Sequence, residues 1–211
     1  MGDMEPLNLA LKEKISKGCN QNFHFLENLD DESSFVQLLV GFVNATGGEI
    51  MVGVKQNGKV AGVNPSEIID TIYDIIKVYK IIKDTFSTET IILGRHALVQ
   101  IKIKTISKKL WLIENGEKAS YIRVNASTCK VNKIVKKTWV LEENEINIEF
   151  SDLREQILDL FTKKSELSLS YIYKDMKLQN SKIDNAVSEL LYRKKIRLIT
   201  PEGKLMYSIV D

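Results

Sequence analysis

Apolar residues recur along the chain with two periods, and each change of period marks an element. Residues 7–17 carry a helical spacing, and Gly18 ends it in the left-handed conformation that helix stops favour. Phe23 and Phe25 alternate with His24, the period of a strand. Phe35, Leu38, Leu39, Phe42 and Val43 fall at i, i+3, i+4, i+7 and i+8, one face of a helix whose cap candidates are Asp30, Asp31 and Ser33. Gly47-Gly48 stops this helix, and Ile50–Val54 follows as a strand. Asn57-Gly58 predicts a type I′ hairpin to a partner strand at Val60–Val63. Asn64 then caps a helix with Pro65 in its first turn and Ile68, Ile69, Ile72, Ile75, Ile76 and Tyr79 along its stripe.

Strand patterns return at Phe86–Leu93 and His96–Lys104, joined at Gly94-Arg95. In the second, Ala97, Val99, Ile101 and Ile103 share one face, and Gln100, Lys102 and Lys104 the other. Leu110–Ile113 and Ser120–Val124 flank Asn115-Gly116, a second hairpin candidate. Lys130–Val140 reads as a helix with Val131, Ile134, Val135 and Trp139 inward. The acidic stretch 141–150 reads as a linker. Beyond it, helices at Asp152–Phe161, Leu169–Met176 and Ser181–Arg193 precede short strands at Ile196–Ile199 and Leu205–Ile209 around Pro201-Glu202-Gly203. Three helices and a β-hairpin in this order predict a winged helix-turn-helix domain. The expected architecture is α+β: a mixed sheet with packed helices over 1–140, the linker, and a winged helix over 151–211.

Charge changes this picture by its distribution. The net charge is only +2. Residues 1–94 hold eight Lys against thirteen Asp and Glu, net −5, whereas residues 95–138 hold eleven Lys and Arg against Glu114 and Glu117, net +9. So basic a block predicts a face that meets a polyanion. No run of 18 apolar residues predicts a membrane helix, and the N-terminus lacks the pattern of a signal peptide. Two distant cysteines, Cys19 and Cys129, suit a reduced, cytoplasmic protein. With two histidines and no ligand spacing, no zinc site is expected.

Two stretches carry the candidate chemistry. Phe42-Val43-Asn44-Ala45-Thr46-Gly47-Gly48-Glu49-Ile50-Met51-Val52-Gly53-Val54 runs helix, glycines, strand. A phosphate loop needs the reverse order and a Lys-Ser/Thr pair, so Asn44, Gly47, Gly48 and Gly53 read as architecture. Tyr121-Ile122-Arg123-Val124-Asn125-Ala126-Ser127-Thr128 places Tyr121 and Arg123 on one strand face, with Asn125, Ser127 and Thr128 in a turn into the basic helix. A ring, a guanidinium and two hydroxyls can serve phosphates or a stacked base, with Lys130, Lys133, Lys136 and Lys137 adding charge. In the third helix of the second domain, Ser181, Lys182, Asn185 and Ser188 are the base-reading candidates, and Arg193, Lys194, Lys195 and Arg197 the phosphate contacts. Glu27, Asp30, Asp31 and Glu32 are grouped, but a turn that caps a helix explains them without a metal.

In this order and spacing the two stretches resemble the Schlafen AlbA-like domain. Its pattern is a strand with an acidic-x-Phe-Lys-like element, then Phe-Ala-Asn-x-x-Gly-Gly-x-x-x-x-Gly-Val, then Tyr-x-Arg-x-Gly-Ser-Ser/Thr. Residues from about 10 to 140 match. The chain departs at Leu26, where the family usually has Lys, and at Asn125-Ala126, where it often has Gly-Ser. The resemblance implies a DNA-binding or ATP-binding domain, and a subset of such bacterial regulator-like proteins carries a C-terminal winged helix. Schlafen-type ribonucleases use a carboxylate cluster that has no match here.

The expected function is nucleic-acid binding, DNA first and RNA second, by a cytoplasmic, homodimeric, bacterial transcriptional regulator. No catalytic residue, metal or cofactor is expected, and no membrane. The alternatives are a metal-dependent nuclease using Glu27, Asp30 or Glu32, and a protein-interaction module.

Overall fold

The computed structural model describes residues 4–145 and 152–210. Its contacts divide the chain into two compact units, Met1–Thr128 and Cys129–Asp211.

The first unit opens with helix α1 (Met4–Ser16), after which Gly18 takes φ +78°. Strand β1 (Phe23–Leu26) leads to helix α2 (Glu32–Asn44), capped by Asp31, whose carboxylate accepts from Ser34 N at 3.0 Å. Strand β2 (Gly48–Val52) follows, then helix α3 (Pro65–Val78) and strands β3 (Phe86–Leu93) and β4 (His96–Ile103). These make a four-stranded sheet in the order β1-β2-β4-β3, with β1 and β2 parallel and β4 antiparallel to both its neighbours. It is the expected mixed sheet.

Both faces of this sheet are covered. Val99, Ile101 and Ile103 join Phe35, Leu39, Phe42, Ile72 and Ile76 beneath α2 and α3. Leu98, Met51 and Ile91 lie with Phe23 and Phe25 beneath Leu11 and Ile15 of α1. The alternation seen in β4 therefore separates two interiors at Leu98, and not an interior from solvent.

Three local expectations are corrected. Residues 60–63 form no strand: only Val54 bridges to Val60, and Val63 N donates to Ala97 O at 2.8 Å. The turn before it is not type I′, because Gly58 has positive φ and Asn57 does not; Lys55 O accepts from Gly58 N, and Lys55 N donates to Lys59 O, the pattern of a three-residue loop. Asn115-Gly116 does form a type I′ turn, φ +51° and +81°, but between β5 (Leu112–Glu114) and β6 (Glu117–Ala119). Strand β7 (Tyr121–Val124) pairs instead with β8 (Ser127–Lys130) around Asn125, at φ +53°.

In the second unit helix α4 (Lys133–Asn144) is capped by Asn132, whose side chain accepts from Ile134 N and Val135 N. Helix α5 (Asp152–Lys163) and strand β9 (Glu166–Leu167) precede helices α6 (Leu169–Met176) and α7 (Asn180–Tyr192), and strands β10 (Ile196–Ile199) and β11 (Met206–Ile209) follow. The strands form an antiparallel sheet in the order β10-β11-β9. Ile157, Leu160, Ile172, Val187, Leu190 and Tyr207 fill the core. Helix α4, expected with the first 140 residues, belongs here: Ile134 joins this second core and Thr138 Oγ1 donates to Ser188 O at 3.2 Å. The expected linker lies in part outside the described residues.

Candidate functional site

The two sequence motifs meet inside the first unit. Asn44, at the last turn of α2, is buried, and its side chain forms four hydrogen bonds. Its amide donates to Leu110 O (3.1 Å), Ser120 Oγ (2.9 Å) and Tyr121 O (2.9 Å), and its Oδ1 accepts from Leu110 N (2.7 Å). Strand β7 crosses α2 at Gly41, where a Cβ would stand 2.9 Å from Thr128 Cγ2 and 3.5 Å from Arg123 N. Gly48 lies so close to Asn22 that a Cβ would meet its carbonyl oxygen at 2.5 Å.

Tyr121 and Arg123 share a strand face as expected, but that face is interior. The Tyr121 hydroxyl donates to the Glu114 carboxylate at 2.7 Å, and burial together with that carboxylate pushes its pKa up. Arg123 is 2% exposed. Its Nη2 donates to Asn20 O at 2.9 Å, its Nη1 to Thr128 Oγ1 at 3.3 Å, and its guanidinium stacks on Phe42. Neither residue presents an open surface to phosphate, which corrects the expectation. Ser127 and Thr128 belong to strand β8 and not to a turn into the basic helix, while Asn125 is exposed at the turn.

Arg123 is also among the residues that line a cleft of about 860 Å³. His24, Phe25, Cys19, Glu27 and Asp31 line it. His24 Nδ1 lies 3.2 Å from Arg123 Nη2. A guanidinium can only donate, so Nδ1 accepts and the ring proton sits on Nε2. Burial first, and the Arg123 charge second, hold the His24 pKa down to about 4. With Nδ1 taken by Arg123, a neutral imidazole of this tautomer has only its Nε2–H left to offer a ligand, as a donor. Sequence reasoning missed this cleft, and His24, flanked by Phe23 and Phe25, carried no signal beyond its strand position.

The grouped carboxylates are engaged locally. Glu27 pairs with Lys55 at 3.1 Å, Asp30 accepts from the Asn28 amide, and Asp31 caps α2. Among the described residues no three His, Cys, Asp or Glu converge on a metal position.

Residues 11–132 match the model of the Schlafen AlbA_2 family. The chain belongs to that family. In this Schlafen AlbA_2 protein both family motifs lie within the matched segment, and α4 to β11 lie beyond it. Membership associates the chain with nucleic-acid binding at a coarse level. Among solved structures, the DIP2311 protein of Corynebacterium diphtheriae is similar at 11% identity and a TM-score of 0.44, over 66% of this chain and 34% of that one. The chain thus spans about a third of that structure's length. No curated protein matches the sequence. Among the described residues, no helix is long and apolar enough to cross a membrane.

The basic block of this family member is divided between its units. Lys133 pairs with the buried Asp184 at 2.8 Å, and Lys137 donates to Asn185 at 2.6 Å, so two lysines of α4 are drawn onto α7. Lys130 and Lys136 are exposed. On α7, Ser181 and Lys182 are exposed and Asn185 is exposed beside Lys137, but Ser188 is buried, its hydroxyl donating to Asp184 O, which corrects its expected place in a groove-facing row. Lys194, Lys195 and Arg197 are exposed in the turn after α7 and at the start of β10, whereas Arg193 is half-buried.

Proposed function

We propose that this protein binds nucleic acid, DNA in the first place and RNA in the second, as a cytoplasmic, homodimeric transcriptional regulator. In this reading residues 151–211 are a winged helix. The observation that carries it is the order helix, strand, two helices and hairpin, with exposed Ser181 and Lys182 opening α7 and exposed Lys194, Lys195 and Arg197 leading into the hairpin. That order matches a helix-turn-helix with a basic wing, where the helix start reaches base edges and the wing meets phosphates. Lys130, Lys136 and Asn125 add exposed polar and cationic contacts. Lys133 and Lys137 contribute less, being held by Asp184 and Asn185.

The test is fluorescence anisotropy with duplex DNA, single-stranded DNA and RNA across a salt series. Binding whose affinity falls steeply with salt is expected. Salt-insensitive or absent binding to all three would remove the reading and favour a protein-interaction module. A second reading is a nuclease using Glu27, which lines the cleft with Asp31 and His24, although among the described residues no three ligands converge on a metal position. Cleavage in magnesium or manganese that Glu27→Ala abolishes would establish it.

A further inference from the structure

Strand β3 is the last strand of its sheet, and among the described residues no strand pairs with its outer edge. The direction of its backbone groups follows from the register. Leu93 pairs with His96 across the Gly94-Arg95 turn, and Lys104 N donates to Thr85 O at 2.7 Å. Thr85 and every second residue after it therefore turn N–H and C=O toward β4. Thr88, Thr90 and Ile92 turn theirs outward, while the Phe86 N–H is taken by Lys83 O. The strand runs for eight residues in unbroken register, with no proline, glycine or bulge. Edges that avoid association carry such breaks, or a lysine. The only charge on β3, Glu89, is paired with Lys102 of the same sheet at 2.8 Å.

We propose that β3 pairs antiparallel with β3 of a second copy, about a twofold axis at Thr90, so that two four-stranded sheets become one of eight. A twofold axis normal to the sheet opposes residues of equal parity only, and two registers use most of the strand. Centring on Glu89 sets Glu89 against itself and Lys83 against Arg95, like charges in both cases. Centring on Thr90 sets Thr88 against Ile92, Glu89 against Ile91 and Asp84 against His96, with no like-charge pair. Thr90 against Thr90 and Thr88 against Ile92 are β-branched pairs on one face, the pairing antiparallel strands favour. The register also covers Ile92, whose side chain is 50% exposed. This inference deepens the homodimer within the function proposed above and does not depend on nucleic-acid binding.

Sedimentation of the full chain without nucleic acid tests it, so its failure is separable from failure of the binding assay. The wild type is expected to be a dimer. Thr90→Pro removes an outward N–H and no β3–β4 bond, which an edge strand tolerates. It should weaken dimerisation about 100-fold while the circular dichroism is unchanged. Thr90→Lys, which places like charges at the axis, should do the same if the proline variant fails to fold. Thr90→Cys should give an oxidised covalent dimer beyond the wild-type background, and Ser87→Cys should not. A wild-type monomer, or a dimer that both Thr90→Pro and Thr90→Lys leave intact, overturns the proposal. So does a monomer whose Thr88, Thr90 and Ile92 amides resist hydrogen exchange, since the edge is then occupied within the chain.

Discussion

The Arg123 guanidinium lies 4.9 Å from the centroid of the Phe42 ring. Phe42 opens the first family motif and Arg123 stands in the second, so the two are joined by a cation–π contact in the interior. Arg123 is therefore a structural residue of the first unit. Arg123→Ala should lower the unfolding free energy by about 3 kcal/mol, through lost packing and the bond withdrawn from Asn20 O. Arg123→Lys should recover little, because an ammonium cannot reproduce a planar fork directed at Asn20, Thr128 and His24. Urea denaturation measures this. A variant of wild-type stability with weakened nucleic-acid binding would move Arg123 to the binding surface.

Asn44 answers three acceptors and one donor at once. Asn44→Ala should cost about 3 kcal/mol, since Leu110 and Tyr121 lose buried partners. Asn44→Asp should be at least as damaging, because a carboxylate would face the Leu110 and Tyr121 carbonyl oxygens. Thermal unfolding of the two variants ranks them, and an Asn44→Asp variant more stable than Asn44→Ala would contradict the network.

His24 makes the fold sensitive to acid. Its pKa is about 4 in the folded protein, against 6.5 when unperturbed. Between these values the unfolded chain binds a proton that the folded chain refuses. Stability should thus fall as pH drops from 6.5 to about 4, and this contribution should level off below it. In His24→Gln the component should vanish, which chemical denaturation at several pH values between 7 and 4 would show. Equal slopes for the two proteins would place the histidine in water.

Charge contacts to nucleic acid can be counted. Lys194→Ala and Arg197→Ala should each reduce the slope of log affinity against log salt by about 0.9. Lys137→Ala should change it less, its ammonium being held by Asn185. A larger loss at Lys137 than at Arg197 would shift the interface to α4.

The sequence made some features legible and concealed others for physical reasons. Phe35 to Val43 could be read as a helix because their spacing follows from helix geometry alone, and the Asp31 cap lies within the same segment. Strand parity correctly grouped Tyr121 with Arg123. Parity does not say whether a shared face is covered, and here α2, about eighty residues earlier, covers it. The turn at Asn125 is expected, but not that it closes a hairpin to β8, because it has no glycine; Asn125 adopts φ +53° itself. The basic helix seemed continuous with the second motif because Lys133 and Lys137 find Asp184 and Asn185 about fifty residues later, beyond any local pattern. The cleft was invisible for a similar reason: β1, α2 and the β7–β8 turn line it together.

The closure of the first unit also sets a schedule for synthesis. Asn44 waits for Tyr121, 77 residues later, and Gln21 for Asn125, 104 residues later. At about 5–20 residues per second, the delay between Asn44 and Tyr121 is roughly 4–15 seconds. Throughout it α2 is already made, and the side carrying Gly41 and Asn44 has nothing yet to close against. Each nascent chain passes through that window on the ribosome, and a slow stretch of translation ahead of Tyr121 would lengthen its exposure to chaperones and proteases.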